Sequence, residues 1–166
     1  HVSLPSYGPG GKLPPEAPKA GRICMVRSND NGKTWSEPTI VVDTPLDDRD
    51  PSITELPDGT LICNYFAHRQ RWLGQGFHFS HSALVRSTDG GKTWSSEQIL
   101  FDRWACSSPI RRLQFWGGKL ALPLYLVPSG NSRENGIGGV SFSTDKGRTW
   151  SDVTPIGKGT KLKLAA

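Results

Sequence analysis

Apolar residues along this chain fall in short bursts, several of them alternating with polar positions, and a Gly-, Asp- or Pro-containing turn closes each burst. Arg22-Ile23-Cys24-Met25-Val26-Arg27-Ser28 predicts one strand, and Thr34 to Val42 predicts a second. Ser52-Ile53-Thr54-Glu55-Leu56 alternates, Pro57-Asp58-Gly59 turns, and Thr60 to Phe66 returns, which is a hairpin with a Gly-containing loop. A loop from His68 to Ser80 then leads to Ala83-Leu84-Val85-Arg86-Ser87 and an outer strand from Trp94 to Leu100. The grammar repeats: Pro109 to Phe115 runs into a turn at Trp116-Gly117-Gly118, Leu120 to Val127 returns, a loop spans Pro128 to Asn135, and Gly138 to Ser143 forms the next strand. Helix content is expected near zero. Residues 1–20, rich in Pro and Gly with no sustained alternation, read as an irregular arm.

Three of the turns are versions of one sequence. Ser28-Asn29-Asp30-Asn31-Gly32-Lys33-Thr34-Trp35, Ser87-Thr88-Asp89-Gly90-Gly91-Lys92-Thr93-Trp94 and Ser143-Thr144-Asp145-Lys146-Gly147-Arg148-Thr149-Trp150 all read Ser-x-Asp-x-Gly-(Lys/Arg)-Thr-Trp. Their aspartates recur at spacings of about 59 and about 56 residues, a period that suits one four-stranded repeat with a long loop. Asp-x-Gly between strand-like runs makes a hairpin turn, because Gly supplies positive φ and the carboxylate accepts hydrogen bonds from nearby amides. The Trp that follows is expected to bury its ring and anchor the turn to its sheet. Asp30, Trp35, Asp89, Trp94, Asp145 and Trp150 are therefore structural candidates.

This motif is the Asp-box, and the chain resembles the sialidase (neuraminidase) and BNR-repeat β-propellers. The resemblance implies an all-β fold of four-stranded antiparallel blades, each with its Asp-box between the third and fourth strands. Six blades of this period need about 336 residues, so the chain corresponds to about half of a six-bladed propeller. It divides into an arm at 1–20, the outer strands of an incomplete blade at 21–47, and complete blades at 48–104 and 105–160. Residues 161–166, Lys-Leu-Lys-Leu-Ala-Ala, resemble a vector-derived tail.

In the family, the start of each innermost strand and the inter-strand loops line the active mouth. Asp47-Asp48-Arg49-Asp50-Pro51-Ser52-Ile53 occupies such a start and resembles the sialidase Arg-Ile-Pro motif, whose Arg belongs to a three-arginine cluster that holds the sialic acid carboxylate. On that match Arg49 is the carboxylate binder, a role for which the guanidinium fork is suited. Asp50 stands where the family has Ile and would tie Arg49 into a local ion pair. The family also places an Asp acid/base on the loop before the next Asp-box. Here that loop, His68 to His81, contains no carboxylate, only groups such as His68, Arg69 and His78 that could hold a sugar by stacking and hydrogen bonding. For His68, His78 and His81 a surface or structural role outweighs a catalytic one. Arg111 and Arg112 begin the next inner strand, and strand alternation lets only one of them face the mouth. The family's tyrosine nucleophile, its Glu partner and the remaining arginines normally come from later blades.

Composition changes this picture little. A net charge of +5 would favour acidic partners, but the cations are spread along the chain and recur in the turns as Lys33, Lys92 and Arg148, so no nucleic-acid partner is expected. No apolar run reaches the ~20 residues of a membrane span, and the longer protein of such a family would be secreted or periplasmic. Cys24, Cys63 and Cys106 lie in or beside apolar runs without metal-ligand spacing and read as buried free thiols; no metal and no cofactor are expected. Three readings follow. The chain is part of a sialidase-like glycoside hydrolase that recognises a carboxylated or other sugar, or a non-catalytic BNR module that binds glycans or proteins through loop 68–81, or a self-associating half-propeller. Exposed repeat ends predict association to at least a dimer, because repeat units are stabilised chiefly by their neighbours.

Overall fold

The computed structural model describes residues 21–44, 46–69, 79–101, 105–106, 114–127 and 137–156. The segments read as arm and tail, and the candidates His78 and Arg111, lie outside them. Every regular element among the described residues is a strand, and the pairings are all antiparallel: the chain is all-β. No helix there is long and apolar enough to cross a membrane.

Strands β1 (Ile23–Met25) and β2 (Thr39–Val42) form a two-stranded sheet. Strands β3 (Asp47–Glu55), β4 (Leu61–Arg69), β5 (Phe79–Ser87) and β6 (Gln98–Phe101) form a second sheet in chain order. In the third sheet β7 (Ala105–Cys106) and β8 (Gln114–Trp116) both pair with β9 (Lys119–Val127), followed by β10 (Ile137–Ser143) and β11 (Thr154–Pro155). Several strands are longer than the alternating stretches implied. β3 starts at Asp47 and β4 runs on to Arg69, because the two pair directly at Asp47 with His68 and at Asp48 with Ala67. β5 likewise starts at Phe79 and so takes His81 out of the loop and into a strand.

Burial explains the continuous apolar run of β4. Ile62 and Phe66 face the third sheet and join Leu56, Leu84, Leu120, Leu122 and Leu124 in one core. Cys63, Tyr65 and Ala67 face the first sheet and join Ile23, Val41, Val42, Ala83 and Val85 in another. A central sheet covered on both faces needs apolar residues on both, so strict alternation disappears. Cys63 is buried, and burial pushes its thiol up to about 12, whereas Cys24 is exposed, contrary to the expectation of buried thiols. Cys24 points away from the core because Ile23 and Met25 take the inward positions of that short strand.

The Asp-boxes connect β1 to β2, β5 to β6 and β10 to β11, each between two paired outer strands. In the second, Asp89 Oδ1 accepts from the amides of Lys92 and Thr93 at 2.9 and 3.0 Å and from Ser87 Oγ at 2.7 Å, while Oδ2 accepts from Thr93 Oγ1 at 2.6 Å. Ser87 Oγ in turn accepts from the Gly91 amide at 2.6 Å. Asp30 and Asp145 bond the same way to Thr34 and Thr149. Neutral donors around an anion favour its charged form; the Thr34 hydroxyl above all holds Asp30 at about 2, and Asp89 and Asp145 are also lowered, chiefly by Thr93 and Thr149. The serine after the Trp also belongs to the motif: Ser36, Ser95 and Ser151 each donate their amide to Arg27, Arg86 and Phe142 carbonyls at 2.8 Å, and each accepts the return amide bond on Oγ at 3.0 Å. Gly32, Gly91 and Gly147 have φ of 84, 79 and 79°, the left-handed conformation that favours glycine.

The tryptophans do not behave alike. Trp94 and Trp150 are half-buried against the preceding sheet, but Trp35 is 62% exposed. The ring is covered by the neighbouring sheet rather than by its own, and none of the described sheets covers that side of the first.

Candidate functional site

The starts of β3 and β5 and the end of β4 lie side by side. Across the three strands Asp47 aligns with His68 and Ser80, Asp48 with Ala67 and His81, and Arg49 with Phe66 and Ser82. Arg69, opposite Phe79, closes the same end. The hairpin turn at 57–60 and the second Asp-box occupy the opposite end, since Leu61 aligns with Ser87. The candidates Arg49, Asp50, His68 and Arg69 are thus collected at one end of the central sheet by the pairing of β3, β4 and β5.

Arg49 is held in place. Its Nε donates to Asp47 Oδ2 at 2.7 Å and its Nη2 forms an ion pair with the same oxygen. Asp47 is buried, whereas Arg49 keeps 28% of its side chain exposed, and Asp47 Oδ1 also accepts the Gly21 amide at 3.2 Å. The ion-pair partner is therefore Asp47 and not Asp50. A bulge separates Arg49 from Ser52 in the ladder with β4, and Asp50 within it adopts a positive φ of 48° and is exposed. The extra residue turns the Asp50 side chain out of the alternation that keeps Asp47 and Arg49 together. A guanidinium bound along one edge by a buried carboxylate presents the rest of its fork in a fixed direction, as recognition of a second carboxylate requires.

Two further carboxyl groups lie close to this end. Asp48 is buried, and burial pushes its carboxyl up to about 6. Such a value suits proton transfer near neutral pH. Its oxygens, however, are occupied: Oδ2 accepts the Thr44 amide at 2.8 Å and Oδ1 accepts the Thr44 hydroxyl at 2.7 Å. Asp48 anchors the chain entering β3. Glu97 accepts a hydrogen bond from the Tyr65 hydroxyl and lies 3.2 Å from His81 Nε2. Tyrosine and glutamate are the residue types of the sialidase nucleophile pair, but Tyr65 is fully buried and its hydroxyl is pushed far up by burial and by Glu97. A phenol sealed from solvent cannot reach a sugar, so Tyr65, Glu97 and His81 form a polar network within the second sheet, on the face that packs against the first. His81, read from the sequence as a loop residue, lies in β5 and is buried.

Sequence reasoning passed over Asp47, Asp48 and the Tyr65–Glu97–His81 link. The adjacent carboxylates before Arg49 were visible, but only the bulge shows which of them pairs with it. Tyr65 and Glu97 meet across two strands, and no local spacing announces them. Among the described residues no group of three or more His, Cys, Asp or Glu could hold a metal ion.

Comparison with known proteins agrees with the repeats. The family model described as BNR repeat-like domain matches residues 20–164. A protein named sialidase, from Micromonospora viridifaciens, is 29% identical over 174 residues, which cover 87% of this chain and 26% of that protein. The chain thus spans about a quarter of the length of that relative. With three Asp-box turns of one hydrogen-bonded design joining antiparallel strands, and a family match over most of its length, the chain belongs to the sialidase-related BNR repeat-like family.

Proposed function

We propose that this chain is part of a sialidase-like β-propeller, about half of a six-bladed ring, and that it recognises a carboxylated sugar of the sialic acid type through Arg49. The observation that carries the reading is the Arg49–Asp47 pair: an arginine at an inner-strand start, aligned by a buried carboxylate and still partly open to solvent. A structural ion pair needs no exposed fork, and a carboxylate receptor does. His68 and Arg69 belong to the adjacent strand at the same end; with His78 from the loop that follows and Arg111 from the start of the next inner strand, they are the further residues this reading assigns to the sugar.

The chain on its own binds and does not hydrolyse. The Tyr65 hydroxyl is buried against Glu97 and the raised carboxyl of Asp48 is committed to Thr44, so neither supplies a nucleophile or an acid. Self-association to at least a dimer accompanies this reading, supported by the uncovered apolar face of the first sheet. Calorimetric titration with N-acetylneuraminic acid tests the sugar site: measurable binding, weakened at least tenfold by Arg49→Met, is expected, with no turnover of a fluorogenic sialoside. Binding that Arg49→Met leaves unchanged, or turnover that it abolishes, would overturn the reading.

A further inference from the structure

The junction between consecutive sheets occurs twice in this chain, and both times the residue before the Asp-box serine reaches the next Asp-box turn. Arg86 Nη2 donates to the Gly147 carbonyl, and its Nη1 donates to Gln98 Oε1 at 2.7 Å. Gln98 Nε2 donates to the Arg148 carbonyl at 2.9 Å, and Lys146 Nζ reaches Asp58 at 2.6 Å. One repeat earlier, the Arg27 guanidinium lies over Gly91, so close that a methyl group placed on that glycine would stand 2.5 Å from Nη2. In each case the tryptophan of the arriving turn, Trp94 or Trp150, tucks against the receiving core.

The third sheet carries the corresponding receiving surface with a different chemistry. Phe142 stands where Arg27 and Arg86 stand, and Thr154 stands where Gln98 stands. These two, with Lys119 and Thr144, help to line a groove of about 630 Å³. The first sheet carries the corresponding arriving face. Val26 is 45% exposed and Trp35 62% exposed, and Cys24 is exposed with them, whereas their counterparts in the second sheet, Val85 and Ala83, are buried and Trp94 is half-buried. The arriving turn also lacks charge at the position of Lys146, which is Asn31, and the receiving turn lacks it at the position of Asp58, which is Gly117. Apolar and neutral groups thus occur on both sides at the positions where the internal junction uses ions.

We propose that the groove at Phe142 receives the first Asp-box turn, residues 28–35, of a second copy of this chain, in a head-to-tail seam built like the two internal junctions but with neutral groups at the positions of the Arg86, Lys146 and Asp58 ions. The inference rests on the self-association proposed above and specifies its geometry. A heterologous seam joins one surface to a different one, so its test is complementation. Val26→Glu alters the arriving face and Thr154→Glu the receiving face, both at exposed positions. Sedimentation equilibrium of the 166-residue chain should show dimers or larger head-to-tail species. Each variant alone should associate about a hundredfold more weakly, because every seam must then desolvate an added carboxylate. An equimolar mixture of the two should recover a dimer, held by the one seam in which both faces are unaltered. Circular dichroism identical to wild type excludes unfolding as the cause. A monomeric wild-type chain would overturn both the self-association and the seam. An associating wild type whose variants fail to complement, or in which Thr154→Glu has no effect, would leave self-association standing and overturn the seam.

Discussion

Replacing Arg86 with methionine tests how the second and third sheets are held together. Methionine keeps most of the aliphatic stem, so packing is largely conserved and the change isolates the guanidinium. Two hydrogen bonds are lost, to the Gly147 carbonyl and to Gln98, and both acceptors are left without that donor. Bonds from a charged donor contribute about 1.5–3 kcal/mol each. The full sum is not expected, because the ion is desolvated: burial lowers the Arg86 pKa, and Nε is buried with no hydrogen-bond partner. Removing that group relieves part of the cost, and the net loss should be about 1.5–3 kcal/mol. For a chain of this size that corresponds to a fall in Tm of roughly 3–12 °C. Urea unfolding followed by tryptophan fluorescence measures it, and amide exchange at Thr149 locates it, since that amide lies in the turn that Arg86 grips and donates to Asp145. An Arg86→Met stability within about 0.5 kcal/mol of wild type, with exchange at Thr149 unchanged, would refute the clasp as a source of cohesion.

Four other outcomes follow from contacts elsewhere in the sheets and turns. Asp48 titrates near 6 when folded against an ordinary 3.8, so the folded state holds a proton that the unfolded chain releases; stability should fall as pH rises from about 4 to about 6, and Asp48→Asn should remove that fall in a series of urea midpoints. Asp30 acts in the opposite sense: its lowered pKa contributes stability that is present above about 4 and lost as pH falls toward 2. Gly59 and Gly91 share a left-handed φ, but a methyl group at Gly59 meets nothing within 4 Å whereas one at Gly91 comes within 3.0 Å of Met25 Cε; Gly59→Ala should cost roughly 1–2 kcal/mol and Gly91→Ala measurably more by urea denaturation. Asp89→Ala should lower Tm without changing sugar affinity, and an unchanged Tm with lost affinity would show that the Asp-box binds ligand.

The fold was legible because its punctuation is chemical. Ser-x-Asp-x-Gly-(Lys/Arg)-Thr-Trp specifies a turn whose hydrogen bonds are all local, and local bonds can be read from spacing; the bonds of Asp30, Asp89 and Asp145 are nearly superimposable in pattern. Strand ends were less legible. Asp47 to Arg49 carry charge and break the alternation that marks β3 from Ser52 onward, yet they pair with β4 because the ladder continues past the bulge. The exposure of Trp35 could not be read, since the three tryptophans have the same local sequence and differ only in whether a neighbouring sheet covers them. The site was legible at Arg49 and illegible around it. Whether Asp47, Asp48 or Asp50 holds Arg49 depends on one residue's φ, and the Tyr65–Glu97–His81 link joins residues far apart in the chain.

The guanidinium resonances of Arg49 test the central claim most directly. Its Nε–H, which donates to the buried Asp47, should be protected and resolved in a ¹⁵N correlation spectrum of the free protein. Titration with N-acetylneuraminic acid should shift that resonance in a saturable way, and the methyl ester of the same sugar, which lacks the carboxylate charge, should not. A sugar-site arginine predicts that difference between acid and ester. Equal shifts with both ligands, or none with either while the Arg49–Asp47 pair remains intact, would contradict a carboxylate site and leave Arg49 as a structural ion pair.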